Sequence, residues 1–322
     1  MTDQSRLKEI FVPAGLVLAI FLVSLVFPLM GVVMGMISPT PLIYVYLQRG
    51  RSAGLATIGV VFLTILLLMG MKPALIFFAE YAVLATIMAE SIRLRVSIGN
   101  CVLLSAISSA ALSGFLLYLF FADKEMSLAD LFQQQIRGNL EQSIETLKGM
   151  GKSQAELDTM KGLVEKTAQT FAATYPAFLA VGSLICAVVN FNLVRFLLIR
   201  LSRATPDFMG KFSGWVLPDP FIWLFIFSAG SFFLPQNEIQ VVGLNLFILT
   251  TAVYFLQGLA IVVHILEAKA IPLFLWLVVF ILVMTQPLIM GIVAGMGLFD
   301  LWVDFRKIKS PKPDTDDRDD EE

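Results

Sequence analysis

Ionisable side chains are scarce inside the apolar stretches of this 322-residue chain, so the few that occur there are where chemistry would reside. A charge at the centre of a bilayer helix costs about 2.5–3.5 kcal/mol on insertion scales, which makes each such residue a candidate site. Glu80 is the sharpest case. It lies seven residues into the apolar stretch 73–93, roughly 10 Å below that stretch's outer end if the stretch is a helix. A carboxyl at that depth can coordinate a proton or a cation, contact a polar substrate, or sit neutral and hydrogen-bonded inside a bundle. Glu90, next to Arg93 at the opposite end, reads as an interfacial partner for that arginine.

A second set lies on 241–266. At 100° per residue, Thr250, Tyr254, Gln257 and His264 fall within an arc of about 80°, with Gly243 on the same side. Such a stripe faces protein or a cavity rather than lipid, as a ligand surface or as helix-to-helix hydrogen bonding. His264 is the single histidine, so no multi-histidine metal site can form. Asn190 and Arg195 could together hold an anionic group near the inner face. Their alternative is interhelical hydrogen bonding plus an arginine that sets topology. Asn192, two residues from Asn190, lies on a different helix face. Gly31/Gly35 and Gly291/Gly295 are small-xxx-small pairs that read as helix-packing positions. Each pair follows a proline and a methionine, as a remnant of an internal repeat would.

Catalytic patterns are missing. There is no HExxH, and Gly210-Lys-Phe-Ser213-Gly214 departs by one residue from a GxSG-type serine motif. Glu90 lacks the adjacent second glutamate of paired-carboxylate membrane proteases, and no glycine loop could cradle a phosphate. The chain reads as a non-enzyme without cofactor or metal.

The elements that must position these residues are set by composition. With 57% hydrophobic and 15% charged residues and a mean hydropathy of +0.82, the chain departs from soluble proteins, which carry about 25% charged residues. A net charge of -2 offers no basic footprint for nucleic acid. Apolar stretches cover approximately 10–48, 53–70, 73–93, 97–122, 171–199, 217–235, 241–266 and 271–304. The first would make a helix of roughly 58 Å against a hydrocarbon core of about 30 Å. It and the last stretch carry Pro28 and Pro287 near their middles, so each reads as a hairpin of two shorter helices.

Charge separates the two resulting topologies. Basic residues in short loops concentrate on the cytoplasmic side. With ten crossings and both termini inside, the inner side holds 16 of the 23 Lys and Arg residues, and Lys72 alone sits in a short outer loop. With eight crossings the split is 9 to 14 whichever way the chain is inserted. The expected fold is therefore an all-α polytopic transmembrane helix bundle of about ten crossings, with eight as the alternative.

The expected organisation is four blocks: N-terminal membrane helices over 1–122, an external amphipathic helical hairpin over 123–170, C-terminal membrane helices over 171–305, and a disordered acidic tail over 306–322. Ser127-Leu-Ala-Asp130 and Ser153-Gln-Ala-Glu156 resemble capping boxes, and Gly149-Met-Gly151 supplies the turn between the hairpin's arms. The second arm runs into the crossing at 171. Seven acidic residues in 314–322 follow Pro311 and Pro313 in the tail. Cys101 and Cys186 lie in apolar stretches and read as small core residues. The N-terminal apolar run is too long for a signal-peptide core and reads as retained.

Several stretches carry a family resemblance: Tyr175-Pro-Ala-Phe-Leu-Ala with Asn190-Phe-Asn192 and the run Arg195 to Arg203; Phe212-Ser-Gly-Trp215-Val-Leu-Pro218-Asp219-Pro220; and Gly297-Leu-Phe-Asp300-Leu-Trp-Val-Asp-Phe-Arg306-Lys. Together they resemble the YybS-like family of predicted bacterial membrane proteins over most of the chain. That family is distantly similar to substrate-binding components of energy-coupling-factor transporters, integral proteins that capture vitamins or metals. Their first-helix Ala-x-x-x-Ala motif is not matched here, where Ala14 and Ala19 are five apart. The expectation is a small-molecule binding or transport protein of the bacterial cytoplasmic membrane. Its expected partners are the lipid bilayer, an unidentified ligand and an energising or other membrane protein. The alternative is a scaffold or regulator acting through the 123–170 hairpin.

Overall fold

The computed structural model describes residues 3–26, 34–122, 130, 134, 138, 154–202 and 209–308. Among them all regular structure is helical. The helices are α1 (Asp3–Val26), α2 (Pro39–Arg49), α3 (Arg51–Met69), α4 (Met71–Arg93), α5 (Ile98–Ala122), α6 (Gln154–Leu197), α7 (Phe221–Gly230), α8 (Asn237–Ala268), α9 (Leu273–Thr285) and α10 (Pro287–Val303). Among the described residues five helices are long and apolar enough to cross a membrane, or six if the bent pair α9–α10 is one span. The apolar helices Phe11–Val23 and Phe221–Phe233 are shorter than that. Large apolar side chains such as Leu67, Phe233 and Leu273 are more than 80% exposed, as suits a surface whose solvent is lipid.

Tight turns set the helix boundaries. Single glycines separate α2 from α3 and α3 from α4, and Gly50 and Gly70 sit at φ +89° and +88°. That backbone region strains residues with a Cβ. The expected break at Pro287 is present: α9 ends at Thr285, α10 starts at Pro287, and the two are bent by 100°. Pro28, the corresponding break in the first long stretch, and Gly31 lie outside the described residues.

The chain divides into two compact units that interleave along its length. One is Met1–Met209 with Ser228–Leu249, and the other is Gly210–Phe227 with Thr250–Glu322. In the first unit α5 packs along both α4 and α6, and α2 packs on α3, α4 and α6. In the second, α9 packs on α10.

The second arm of the expected hairpin is continuous with the next crossing. It forms the single 44-residue helix α6, about 66 Å long at 1.5 Å per residue. Most of the first arm lies outside the described residues, though 130, 134 and 138 are helical and exposed. The acidic tail beyond 308 is also outside them.

Candidate functional site

Glu80 is presented by an irregular turn. Residues Phe78–Ala82 form a π turn inside α4, one extra residue in the coil, which re-aims the side chains around it. Such bulges are frequent at functional sites. The Ser109 hydroxyl of α5 donates to the carbonyls of Ala79 at 3.0 Å and Glu80 at 3.2 Å, so backbone oxygens at the bulge are satisfied from the neighbouring helix.

Glu80 lines a cavity of about 270 Å³ within the first unit. Tyr81 and Leu84 of α4 and Ser109 of α5 share that lining. Phe178, Leu179, Gly182, Ser183 and Cys186 of α6 contribute a second part of the lining, and Gly35 and Met36 a third. No hydrogen bond or ion pair reaches the Glu80 carboxylate from the described residues. Tyr81 is held by edge and tilted ring contacts to Phe21 and Phe77, at centroid distances of 6.4 and 6.0 Å. Its hydroxyl lies 2.8 Å from where a Cβ on Gly35 would be, so a glycine there gives the phenol room. Gly182 belongs to the lining and a Cβ there would meet nothing within 4 Å, so this wall has room for a side chain.

Asn190 supports the cavity from beneath. Fully buried, it donates to the carbonyls of Met36 and Cys186, both at 2.7 Å, and accepts from the Thr40 hydroxyl at 2.6 Å. Its polar atoms are spent on positioning two of the lining residues. Asn192 bonds within its own helix, to the Val188 carbonyl at 2.8 Å. Arg195 donates through Nε to the carbonyl of Met209 at 3.1 Å and does not share a partner with Asn190.

Asn245 of α8 has a role that the sequence did not suggest. Its amide donates to the Ala173 carbonyl at 2.8 Å and accepts from the Ala177 N–H at 2.9 Å. Those two groups flank Pro176, whose ring supplies no backbone donor inside α6. Asn245 thereby secures the kink-prone turn just before Phe178. The signal available for it was an isolated asparagine in an apolar helix next in space to a proline, and the second half of that signal exists only in three dimensions.

The stripe on α8 enters a different environment, in the second unit. Gln257 accepts from the Leu217 N–H at 3.2 Å and donates to Asp300 at 3.1 Å. Asp300 also receives the Arg306 guanidinium at 2.6 Å and the Phe305 N–H at 3.1 Å. Arg306 continues to the carbonyls of Ser213 at 2.9 Å and Trp215 at 2.8 Å. Asp300 and Arg306 are both more than 90% buried. Tyr254 packs against the edges of Phe221 and Phe225, Thr250 is fully buried, and His264 is half-buried. The stripe thus faces protein, with Gln257 tied into a ring of helix and loop contacts.

The glycines divide in the same way. Gly35 lines the cavity, while Gly291 and Gly295 have no described atom within 4 Å of a would-be Cβ. Helix contact on α10 is made instead by Gly297, whose Cβ would fall 1.9 Å from the Tyr254 carbonyl, and it is matched by Gly258 against the Val293 carbonyl at 1.9 Å. The packing expectation for Gly291 and Gly295 therefore moves to Gly258 and Gly297. The sequence motif marks small residues on one helix, whereas close approach needs them paired across two.

At the end of α4, Glu90 meets Arg93 at 3.4 Å and Arg51 at 3.5 Å, and accepts from the Tyr46 hydroxyl. Among the described residues no three His, Cys, Asp or Glu groups converge as a metal site would require.

Long apolar helices, lipid-type outer surfaces and a carboxylate set among them define a multi-pass α-helical membrane protein. A family model described as predicted membrane protein (DUF2232) matches residues 15–301, and the chain belongs to that family. No curated protein and no solved structure matches the chain.

Proposed function

We propose that this protein binds or transports a small molecule in the bacterial cytoplasmic membrane, without a catalytic step, and that the ligand occupies the cavity beside Glu80. One observation carries the reading. A carboxylate stands on a π turn inside an apolar helix and faces about 270 Å³ of space, with no described side chain pairing it. Keeping an acid in such a place is costly unless something outside the chain completes it.

The topology that accompanies this reading has ten crossings, both termini in the cytoplasm and residues 123–170 outside. It is supported by the concentration of basic residues at one set of loops and by the break at Pro287. The chain holds no nucleotide-binding motif, so concentrative uptake would draw on an ion gradient or on a partner ATPase, as the resemblance to capture subunits suggests.

A library of small metabolites screened by thermal unfolding of the protein in lipid nanodiscs tests the reading. Gly182→Leu fills the cavity from a position with no steric conflict at Cβ. Compounds that stabilise the wild type should lose their effect in Gly182→Leu. Hits that act equally on both proteins, or no hits at all, would overturn the assignment of this cavity.

A second reading is favoured by the length of α6. Residues 154–170 extend it by about 25 Å beyond its apolar portion, a rigid arm suited to docking another envelope protein.

A further inference from the structure

We infer that the cavity selects a compact organic ammonium ion, whose charged nitrogen pairs with Glu80 while its apolar body lies against α6. The inference rests on the cavity being the ligand site and adds the ligand's chemical class.

Charge gives the first argument. Among the described residues Glu80 is the one charged residue in the lining, with no lysine, arginine or histidine beside it. An anionic ligand would bring a second negative charge into a poorly solvated site. A neutral ligand would leave the carboxylate unpaired. A cation supplies the partner that the protein withholds, and a buried charge without its partner is strongly unfavourable.

Coordination chemistry gives the second. Calcium takes six to eight oxygen ligands, and transition metals favour several His, Cys or carboxylate donors. Among the described lining residues Glu80 and Cys186 alone carry a carboxylate or thiol, Cys186 already interacts with the Asn190 amide at 3.3 Å, and the Tyr81 and Ser183 hydroxyls added to Glu80 fall short of six oxygens. Ser109 gives its proton to the backbone of the bulge. Too few donors remain for a bare metal ion.

Volume and wall chemistry give the third. The space is nearly twice the roughly 150 Å³ of an apolar cavity that holds benzene, far more than a proton or an ammonium head needs. Phe178, Leu179 and Leu84 offer an apolar wall. Tyr81 and Phe178 add two aromatic rings to the lining, a side-chain type whose faces attract cations. An ammonium carrying a small hydrocarbon body uses both halves of the site.

Three probes of matched size separate these contributions: benzylamine, benzyl alcohol and benzoate. Each is titrated against the full-length protein in nanodiscs, with stabilisation read by thermal unfolding. Benzylamine should stabilise the wild type at a concentration at least tenfold lower than the other two. Glu80→Gln should erase that preference, and Gly182→Leu should erase stabilisation by all three. If benzyl alcohol or benzoate matches benzylamine, or if the preference survives Glu80→Gln, the ammonium assignment is overturned. Loss of stabilisation in Gly182→Leu would then still leave the cavity as the binding site. If no probe stabilises the wild type, the ammonium assignment and the cavity reading fall together.

Discussion

Asp300 in the second unit and Glu80 in the first are both acids set in apolar helices, and their surroundings are opposite. Asp300 receives a guanidinium, an amide and a backbone N–H, and its helix partner Gln257 is itself tied to the 213–217 loop. Glu80 receives none of these and opens on a cavity. The first arrangement satisfies the Asp300 carboxylate from within the chain and ties α8, α10 and the 213–217 loop together, though Nε of Arg306 and Nε1 of Trp215 are buried without a partner among the described residues. The second has no partner among the described residues, and the proposed ligand would supply one. One carboxylate is thus a structural tie and the other the proposed binding group, and the difference lies in what surrounds them.

The comparison breaks most sharply at Arg306. Arg306→Ala removes one half of a buried ion pair and strands Asp300, Ser213 O and Trp215 O. A loss of about 3–5 kcal/mol is expected, read as a large fall in unfolding temperature in mild detergent. Retention of wild-type stability would show that the tie is not structural. A smaller loss, about 1–3 kcal/mol, is expected for Gly297→Ala, because its Cβ would meet the Tyr254 backbone at 1.9 Å. Gly291→Ala and Gly295→Ala serve as its controls and should be neutral in the same assay, since nothing described lies within 4 Å of either. The smallest loss belongs to Glu80→Gln. With no described partner to lose and an uncompensated acid removed, it should leave the unfolding temperature at or above that of the wild type. A destabilisation comparable to that of Arg306→Ala would place Glu80 among the structural ties.

Much of the helix plan was legible in residue types alone. Runs of apolar residues located α3, α4, α5 and α8, and Pro287 marked the break between α9 and α10, because a proline removes a backbone donor wherever it falls. Glu80 stood out for an equally local reason, an acid inside an apolar run. The periodicity of Thr250, Tyr254, Gln257 and His264 pointed to a stripe facing protein or a cavity; the first three are buried and His264 is half-buried, and the partner of Gln257 was not legible because Asp300 lies 43 residues further along. Gly258 and Gly297 were missed because their contact joins two helices and leaves no spacing in either. The π turn at 78–82 was not legible either. An extra residue in a helical coil is stabilised here by Ser109, a partner 29 residues away.

The central claim is that an open, fillable cavity adjoins Glu80, and thiol accessibility measures it most directly. Ser183→Cys in a Cys101→Ala, Cys186→Ser background places one thiol on the cavity wall, and Ala187→Cys in that background places one at a fully buried position. In the folded protein in nanodiscs, N-ethylmaleimide should label Cys at 183 at least tenfold faster than Cys at 187, and adding Gly182→Leu should remove that advantage. Equal, slow labelling of both positions until the protein unfolds would contradict the account.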